Sequence, residues 1–359
     1  MRMMLLSRTA VLAALVSGCA TTTTKLAPIT PEEVSAEELK QRELALVTLE
    51  SQQARLDRLS YPILAAAVPL CGAETRGGAG FRYASLHSFE KEWRQAAANA
   101  FGMNDSVQVV AVTPGSPADR AGLRAGDRIL ALNAEPTVPG EVDLDALVRM
   151  FEQVSTGGMR SMILEIGRAG DPQQIQVNME TVCSYPARVV SDGALNAYAD
   201  GEAIYITNSM MRFAEDDELR AIIGHELAHN AMGHIKAQKK NVLLGALLGA
   251  LGDVAMASAG YNSGGYYAAQ GAQLGAMSFS QDFEREADYV GLYALALAGY
   301  DLASAPTLWR HMAQANPETI GLAFSHPTSA ERFVRMEKAI QEIEAKRVAG
   351  QPLQPEMKD

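Results

Sequence analysis

His225 and His229 stand four residues apart in Gly224-His225-Glu226-Leu227-Ala228-His229, inside an apolar run that predicts a helix. Four residues turn an α-helix about 400°, so both imidazoles leave one face, one turn apart. This spacing lets a single rigid element hold one Zn²⁺. Glu226, beside the first histidine, is placed to take a proton from a zinc-bound water whose pKa the metal lowers. A catalytic zinc needs a third protein ligand and an open position. His234 lies about 140° round a continuous helix from His229, so it is expected to face elsewhere and be structural. Downstream, Phe283-Glu284-Arg285-Glu286-Ala287-Asp288-Tyr289 puts Glu284 and Asp288 on one helical face, with Glu286 pointing away. Glu284 can be the third ligand. Asp288 can orient a ligand histidine through its free ring N–H. On spacing alone, such a carboxylate pair reads equally well as a solvated helix face.

HELAH at 225–229, "EREAD" at 284–288 and "SHPTSAER" at 325–332 together resemble the HtpX/CAAX-prenyl-protease-like gluzincin metallopeptidases. In organisation the chain is similar to the soluble periplasmic members, the β-barrel assembly-enhancing proteases among them. The likeness covers about half the chain and includes Asn196-Ala197-Tyr198-Ala199. It implies zinc, one ion per chain, on His225, His229 and Glu284, with Glu226 as general base and acid and Asp288 behind a ligand. It also implies that His326 lies over the metal, either assisting the transition state or filling the open position and keeping the enzyme latent. Arg332 would stabilise the developing oxyanion. Ala203, Ile204, Tyr205 and Ile206 would form an edge strand that holds extended substrate by strand addition.

Upstream, alternating strands are expected at Val107–Val112, Arg128–Asn133, Ser161–Gly167 and Gln173–Met179, with a helix over Asp145–Val154 and a turn at Gly170-Asp171-Pro172. With "PGSPADRAGLRAGD" at 114–127, this block resembles a PDZ domain of the bacterial periplasmic protease type. That implies capture of peptide segments at a sheet edge. Phe101-Gly102-Met103 is a candidate carboxylate-binding loop, with a simple strand start as the other reading.

The elements before and between these motifs set the organisation. Arg2, Arg8 and a short apolar core, closed by Val16-Ser17-Gly18-Cys19, read as an export signal that resembles a lipoprotein lipobox. Cys19 would then carry the lipid and tether the chain to an envelope membrane facing the periplasm, with Ala20 favouring the outer one. In that oxidising compartment Cys71 and Cys183, which bracket the PDZ-like block, are expected to pair; two buried free thiols are the alternative. Glu32–Leu59 predicts a helix broken by Pro62. Val242–Leu251 is uninterrupted apolar and glycine; ten clean residues fit a buried helix or a lid beside the cleft, with a surface that touches membrane or client protein as the alternative.

The 359 residues carry 31 Lys plus Arg against 42 Asp plus Glu, a net charge of −11, which argues against a nucleic-acid partner. The expected fold is α+β: a mostly helical zincin-like domain with a small sheet, preceded by a β-rich PDZ-like domain. The segments are 1–18 signal, 19–70 tether and helix, 71–183 PDZ-like, 184–349 metallopeptidase and 350–359 flexible tail. The expected activity is zinc-dependent cleavage of misfolded or misassembled envelope proteins. The alternative is a zinc-stabilised chaperone or assembly scaffold working through its PDZ-like module.

Overall fold

The computed structural model describes residues 24, 26–137, 141–258, 261, 263–277, 280–315 and 330–358. Cys19 and His326 lie outside the described residues, so the lipid-anchor and zinc-capping expectations have no structural counterpart here.

A 36-residue helix, α1 (Pro31–Ala66), runs along both halves of the protein. Thr30 caps it: its hydroxyl accepts from the Glu33 N–H and Glu33 answers the Thr30 N–H, with Pro31 in the first turn. The helix does not stop before Pro62. Proline removes one donor, while Leu59, Ile63 and Leu64 on either side are buried in the C-terminal core, and that packing carries the helix on to Ala66.

The N-terminal half is a sheet of six strands. Strand β1 (Thr75–Gly78) leads in and pairs with β8 (Glu180–Cys183) as a two-stranded ribbon. The sheet itself runs β2 (Phe81–Ala84), β3 (Gln108–Val112), β4 (Arg128–Leu132), β6 (Ser161–Arg168) and β7 (Asp171–Asn178), with β5 (Glu135–Pro136) paired to β4. Helices α2 (Lys91–Phe101), α3 (Pro117–Arg120) and α4 (Glu141–Thr156) complete it. Strand β6 alternates as expected, and Met162, Leu164 and Ile166 point into a core shared with Phe151, Val154 and Val177. The β6–β7 turn sits one residue earlier than the sequence suggested. Arg168 pairs with Asp171, leaving Ala169 and Gly170 as a two-residue loop, both at positive φ. Cys71 and Cys183 are disulfide-bonded across 112 residues, at the foot of the β1–β8 ribbon.

The C-terminal half begins with a three-stranded sheet of β9 (Ala187–Val190), β10 (Ala197–Ala199) and β11 (Ile204–Thr207). Helices follow: α5 (Asn208–Phe213), α6 (Asp216–Ala231), α7 (His234–Ser258), α8 (Tyr266–Met277), α9 (Ser280–Leu297), α10 (Ala305–Ala315) and α11 (Ala330–Val348). The strand order is β10-β11-β9, with β11 in the middle. Ala203, Ile204, Tyr205 and Ile206 therefore do not offer a free edge. β11 is bonded antiparallel to β10 and parallel to β9, and Ile204 and Ile206 are fully buried.

Two more expectations are corrected. The apolar stretch is not buried: α7 pairs with α8 in a hairpin whose outer leucines face solvent. The C-terminal tail is held in place. Lys346 Nζ donates to the Gln354 carbonyl at 2.7 Å and lies 2.7 Å from Glu356, and the Glu356 N–H donates to Tyr289 Oη at 2.9 Å.

α1 joins the two halves by charge as well as by packing. On one side Glu50 and Asp57 take the guanidinium of Arg82 on β2, the Asp57 contact at 2.6 Å. On the other, Arg55 and Arg58 reach Asp216 at the start of α6, at 2.7 and 2.9 Å.

Candidate metal centre

Helix α6 carries the two histidines, and its start is well specified. Glu215 and Glu218 form a capping box, and Asp216, Asp217 and Glu218 put negative charge at the positive end of the helix dipole. Almost every residue from Leu219 to Asn230 is buried. The helix packs on α9 backbone to backbone. A Cβ placed on Gly291 would come within 2.9 Å of the Gly224 carbonyl carbon and of the His225 nitrogen. Two glycines thus bring the helices together at the level of His225, which lets side chains as short as Glu284 and Asp288 reach across.

The result is a tight donor set. His225 Nε2 lies 3.1 Å from His229 Nε2 and 3.4 Å from Glu284 Oε2; His229 Nε2 lies 3.3 Å from Glu284 Oε1. A tetrahedral ion at about 2.0–2.1 Å from its ligands needs edges of roughly 3.3–3.4 Å. The set fits a small divalent cation, and two nitrogens with one carboxylate oxygen suit zinc chemically. It is the one such group of three found among the described residues.

Behind it, Asp288 Oδ1 lies 3.0 Å from His225 Nδ1, fixing the ring so that Nε2 faces the donor set. Arg332 grips Asp288 with both arms, Nε to Oδ2 at 2.7 Å and Nη2 to Oδ1 at 2.6 Å. Its guanidinium lies 3.4 Å over the Trp309 ring, whose edge meets His225. Nε and Nη2 are thus engaged by Asp288, and Nη2 also lies 3.8 Å from Glu284 Oε2, which places the buried guanidinium beside the donor set.

The charges follow from these contacts. Burial disfavours the His225 cation, but Asp288 and Glu284 outweigh it and lift the pKa to about 9. Burial alone would raise the Asp288 carboxyl; Arg332 and His225 hold it below its usual range. His229 is pushed down, chiefly by burial.

Glu226 is buried next to His225 on the same helix. Spacing alone misses two residues here, His234 and Glu286. The angle of about 140° expected between His229 and His234 holds only for a continuous helix. In fact α6 ends at Ala231 and Gly233 turns left-handed (φ +70), so α7 starts afresh. His234 then folds back to 3.1 Å from His229 Nδ1. It is held there by Glu286 at 2.9 Å and stacks on Phe283. Glu286, expected to point away, thus steadies a ligand through His234. The signal was present in the sequence as the Met232-Gly233 step. Asn230 ties the same helix to the β10–β11 turn, donating to the Ala203 carbonyl at 3.0 Å and accepting from the Gly201 N–H at 2.8 Å.

The candidate loop at 101–103 is not a strand start, and Phe101 and Met103 line a cavity of about 820 Å³ with α1, β2 and β3. Phe101-Gly102-Met103 closes α2: Gly102 is its left-handed cap and Met103 is buried against α1 and α2. A second cavity, of about 490 Å³, opens beside Gly78-Ala79-Gly80-Phe81, between strand β2, helix α4 and α1. Arg76 lines it, with Nε buried and lacking a hydrogen-bond partner among the described residues.

A helix-borne His-Glu-x-x-His pair with a carboxylate from a following helix defines the zincin class of metallopeptidases. Residues 166–340 match the model of peptidase family M48, and this half of the chain belongs to that family; residues 108–156 match a PDZ domain. The M48 match starts inside β6, before the disulfide that closes the PDZ-like sheet. Similar curated proteins include the mitochondrial metalloendopeptidase OMA1 of Arabidopsis thaliana, 29% identical over 42% of this chain and 30% of that protein. The metalloprotease LoiP of Escherichia coli K12 is 34% identical over 42% of this chain and 59% of its own length. The β-barrel assembly-enhancing protease of Yersinia pestis is 29% identical over 35% and 27%. The chain spans less than two thirds of each. Among solved structures, the HtrA3 PDZ domain bound to a phage-derived ligand is 21% identical over 30% of this chain and 88% of that one, with a TM-score of 0.22.

Proposed function

We propose that the chain is a zinc-dependent endopeptidase of the bacterial envelope. The observation that carries this reading is the donor set of His225, His229 and Glu284, with edges of 3.1–3.4 Å and a buried carboxylate, Glu226, in the next position. Zinc bound there would polarise a scissile carbonyl and make water acidic enough to attack near neutral pH. The remaining work falls to side chains. Glu226 takes the proton of the attacking water and passes it to the leaving amine. Asp288 keeps the Nε2 of His225 turned to the donor set, and Arg332 keeps Asp288 charged and in place. Because β11 is central and Gln53 of α1 bonds the Ala187 carbonyl and the Val189 N–H of β9, the strand that can receive an extended substrate is β10, Ala197–Ala199, which lies next to α6 and whose exposed Tyr198 stacks on Tyr205.

The name of one bacterial relative, a β-barrel assembly-enhancing protease, supports substrates among envelope proteins that fail to assemble, and the Val16-Ser17-Gly18-Cys19 signal supports a lipid anchor there. The cavity beside Gly78–Phe81 is the groove we assign to peptide segments, with Arg76 placed to meet a carboxylate.

The test is cleavage of unfolded outer-membrane proteins by wild type and Glu226→Gln, with zinc measured in both. We expect full zinc in each, and a loss of at least about 100-fold in the variant. Equal cleavage would remove Glu226 from the chemistry. Zinc-replete wild type that binds but never cleaves would favour the scaffold reading.

A further inference from the structure

The hairpin of α7 and α8 is inserted between the two helices that carry the metal donors, and no other layer among the described residues covers it. Helix α7 is the one helix among the described residues long and apolar enough to cross a membrane, and none of its apolar window is buried. Leu243, Leu244, Leu247, Leu248, Leu251 and Val254 form its outer face, with Leu243 71% and Val254 67% exposed. A monomer in water rarely shows so large an apolar face without a partner.

Four observations identify that partner as lipid. First, from Asn241 to Met277 the sequence has a single charged residue, Asp253. Its carboxylate is satisfied inside the hairpin by Ser263 Oγ at 2.5 Å and by the backbone N–H groups of Tyr267 and Ala268 at 3.1 and 2.9 Å. A charge tied up in this way is what low-dielectric surroundings demand. Second, the two helices meet through glycine. Gly245 and Gly249 frame one G-x-x-x-G motif, Gly271 and Gly275 another. A Cβ on Gly249 would strike the Tyr267 carbonyl, and one on Gly271 the Gly245 carbonyl. Backbone contact through small residues is how helices associate in a bilayer, where apolar side chains gain nothing by burial against each other. Third, the base of the hairpin is basic: Lys236, Lys239 and Lys240 are exposed in the two turns before Asn241. Their charge suits anionic headgroups. Fourth, the 18 residues Asn241–Ser258 span about 27 Å, close to the roughly 30 Å of a hydrocarbon core.

We propose that the α7–α8 hairpin enters a bilayer, with the leucine face of α7 in the hydrocarbon and Lys236, Lys239 and Lys240 at the headgroups. Exposed Gln270 and Gln273 on α8 lie on the less apolar flank, so α7 is the deeper helix. Since α6 ends just before the hairpin and α9 starts just after it, insertion holds His225, His229 and Glu284 close to the membrane surface. The hairpin is a second attachment, independent of any lipid on Cys19.

The full chain carrying Cys19→Ser and Leu248→Cys, labelled with an environment-sensitive fluorophore, is mixed with phosphatidylethanolamine/phosphatidylglycerol vesicles. A label at Met159→Cys is the control. We expect a blue shift at 248, with quenching by lipids spin-labelled in the acyl chain, and neither effect at 159. Adding Leu247→Asp and Leu251→Asp should weaken vesicle binding at least roughly 100-fold. Replacing Lys236, Lys239 and Lys240 by Gln should cost about fivefold per lysine on anionic vesicles and nothing on neutral ones. An unquenched label at 248 in the presence of vesicles overturns the proposal. So does a hairpin that sedimentation equilibrium shows to be covered by a second copy of the chain. Should the aspartate variants fail to fold by circular dichroism, the quenching at 248 decides alone.

Discussion

Gly291→Ala tests whether the α6–α9 contact sets the metal centre. Intrinsic helix propensity favours alanine over glycine by about 1 kcal/mol, so a helix seen in isolation would be stabilised. Here the new methyl would sit 2.9 Å from the Gly224 carbonyl carbon and the His225 nitrogen, and 3.0 Å from the Gly224 oxygen. Carbon atoms make unstrained contact at about 3.5–4.0 Å, so the helices must part by roughly 0.5–1 Å. Overpacking of this kind costs about 1–3 kcal/mol, which offsets the propensity gain and leaves a net loss of about 0–2 kcal/mol. The larger effect falls on the donor set. Glu284 rides on α9 and the two histidines on α6, so the 3.3 and 3.4 Å edges open by a similar amount. Ligand distances tolerate only about ±0.2 Å. We expect zinc affinity to fall about 10- to 100-fold while stability in urea falls by no more than about 2 kcal/mol, read by chelator competition and by urea denaturation of the metal-free chain. A variant with unchanged zinc affinity and a gain of about 1 kcal/mol in stability would refute the argument, because it would mean that the glycines do not control the spacing.

Asp288→Asn should lower zinc affinity about 10- to 100-fold. It should also destabilise the chain by roughly 3–5 kcal/mol, because Arg332 stays buried without its carboxylate; zinc titration and urea denaturation check both. The double variant Cys71→Ser with Cys183→Ser opens a loop spanning 112 residues and should cost roughly 4–5 kcal/mol. A loss under about 1 kcal/mol in urea would show that the β1–β8 ribbon closes the sheet without the disulfide. Partial burial opposes ionisation of Asp216, but Arg55 and Arg58 hold its carboxyl below the unfolded value of 3.8. Its contribution is therefore present above that value and lost as pH falls through the folded pKa. With a third of the side chain exposed, Asp216→Asn should cost only about 1 kcal/mol at neutral pH; the two stability curves should converge in acid, and a gap that persists there would contradict the assignment.

Local spacing made part of this site legible. His225, Glu226 and His229 lie within one helical turn, so their relation depends only on the α-helix repeat, and the same holds for Glu284 and Asp288 on α9. The alternation of Ser161–Gly167 and Gln173–Met179 likewise announced a hairpin, because strand faces alternate with period two. Whatever depended on the path between elements was not legible. A single left-handed glycine, Gly233, ended one helix and returned His234 and Glu286 to the ligand His229, against an angular argument that assumed one continuous helix. The edge or centre position of a strand is a property of its neighbours, which is why Ile204–Thr207 is the middle strand and Ala197–Ala199 an edge. Nor does the composition of Val242–Leu251 distinguish a core helix from an exposed one, since both are apolar and only what packs over them separates the two; among the described residues no layer covers this one. The sequence by itself determined which atoms could bind a cation and take up a proton. Tertiary structure decided that they meet, through two glycines that let α6 and α9 touch, because the convergence of distant residues is set by helix packing and local periodicity does not encode it.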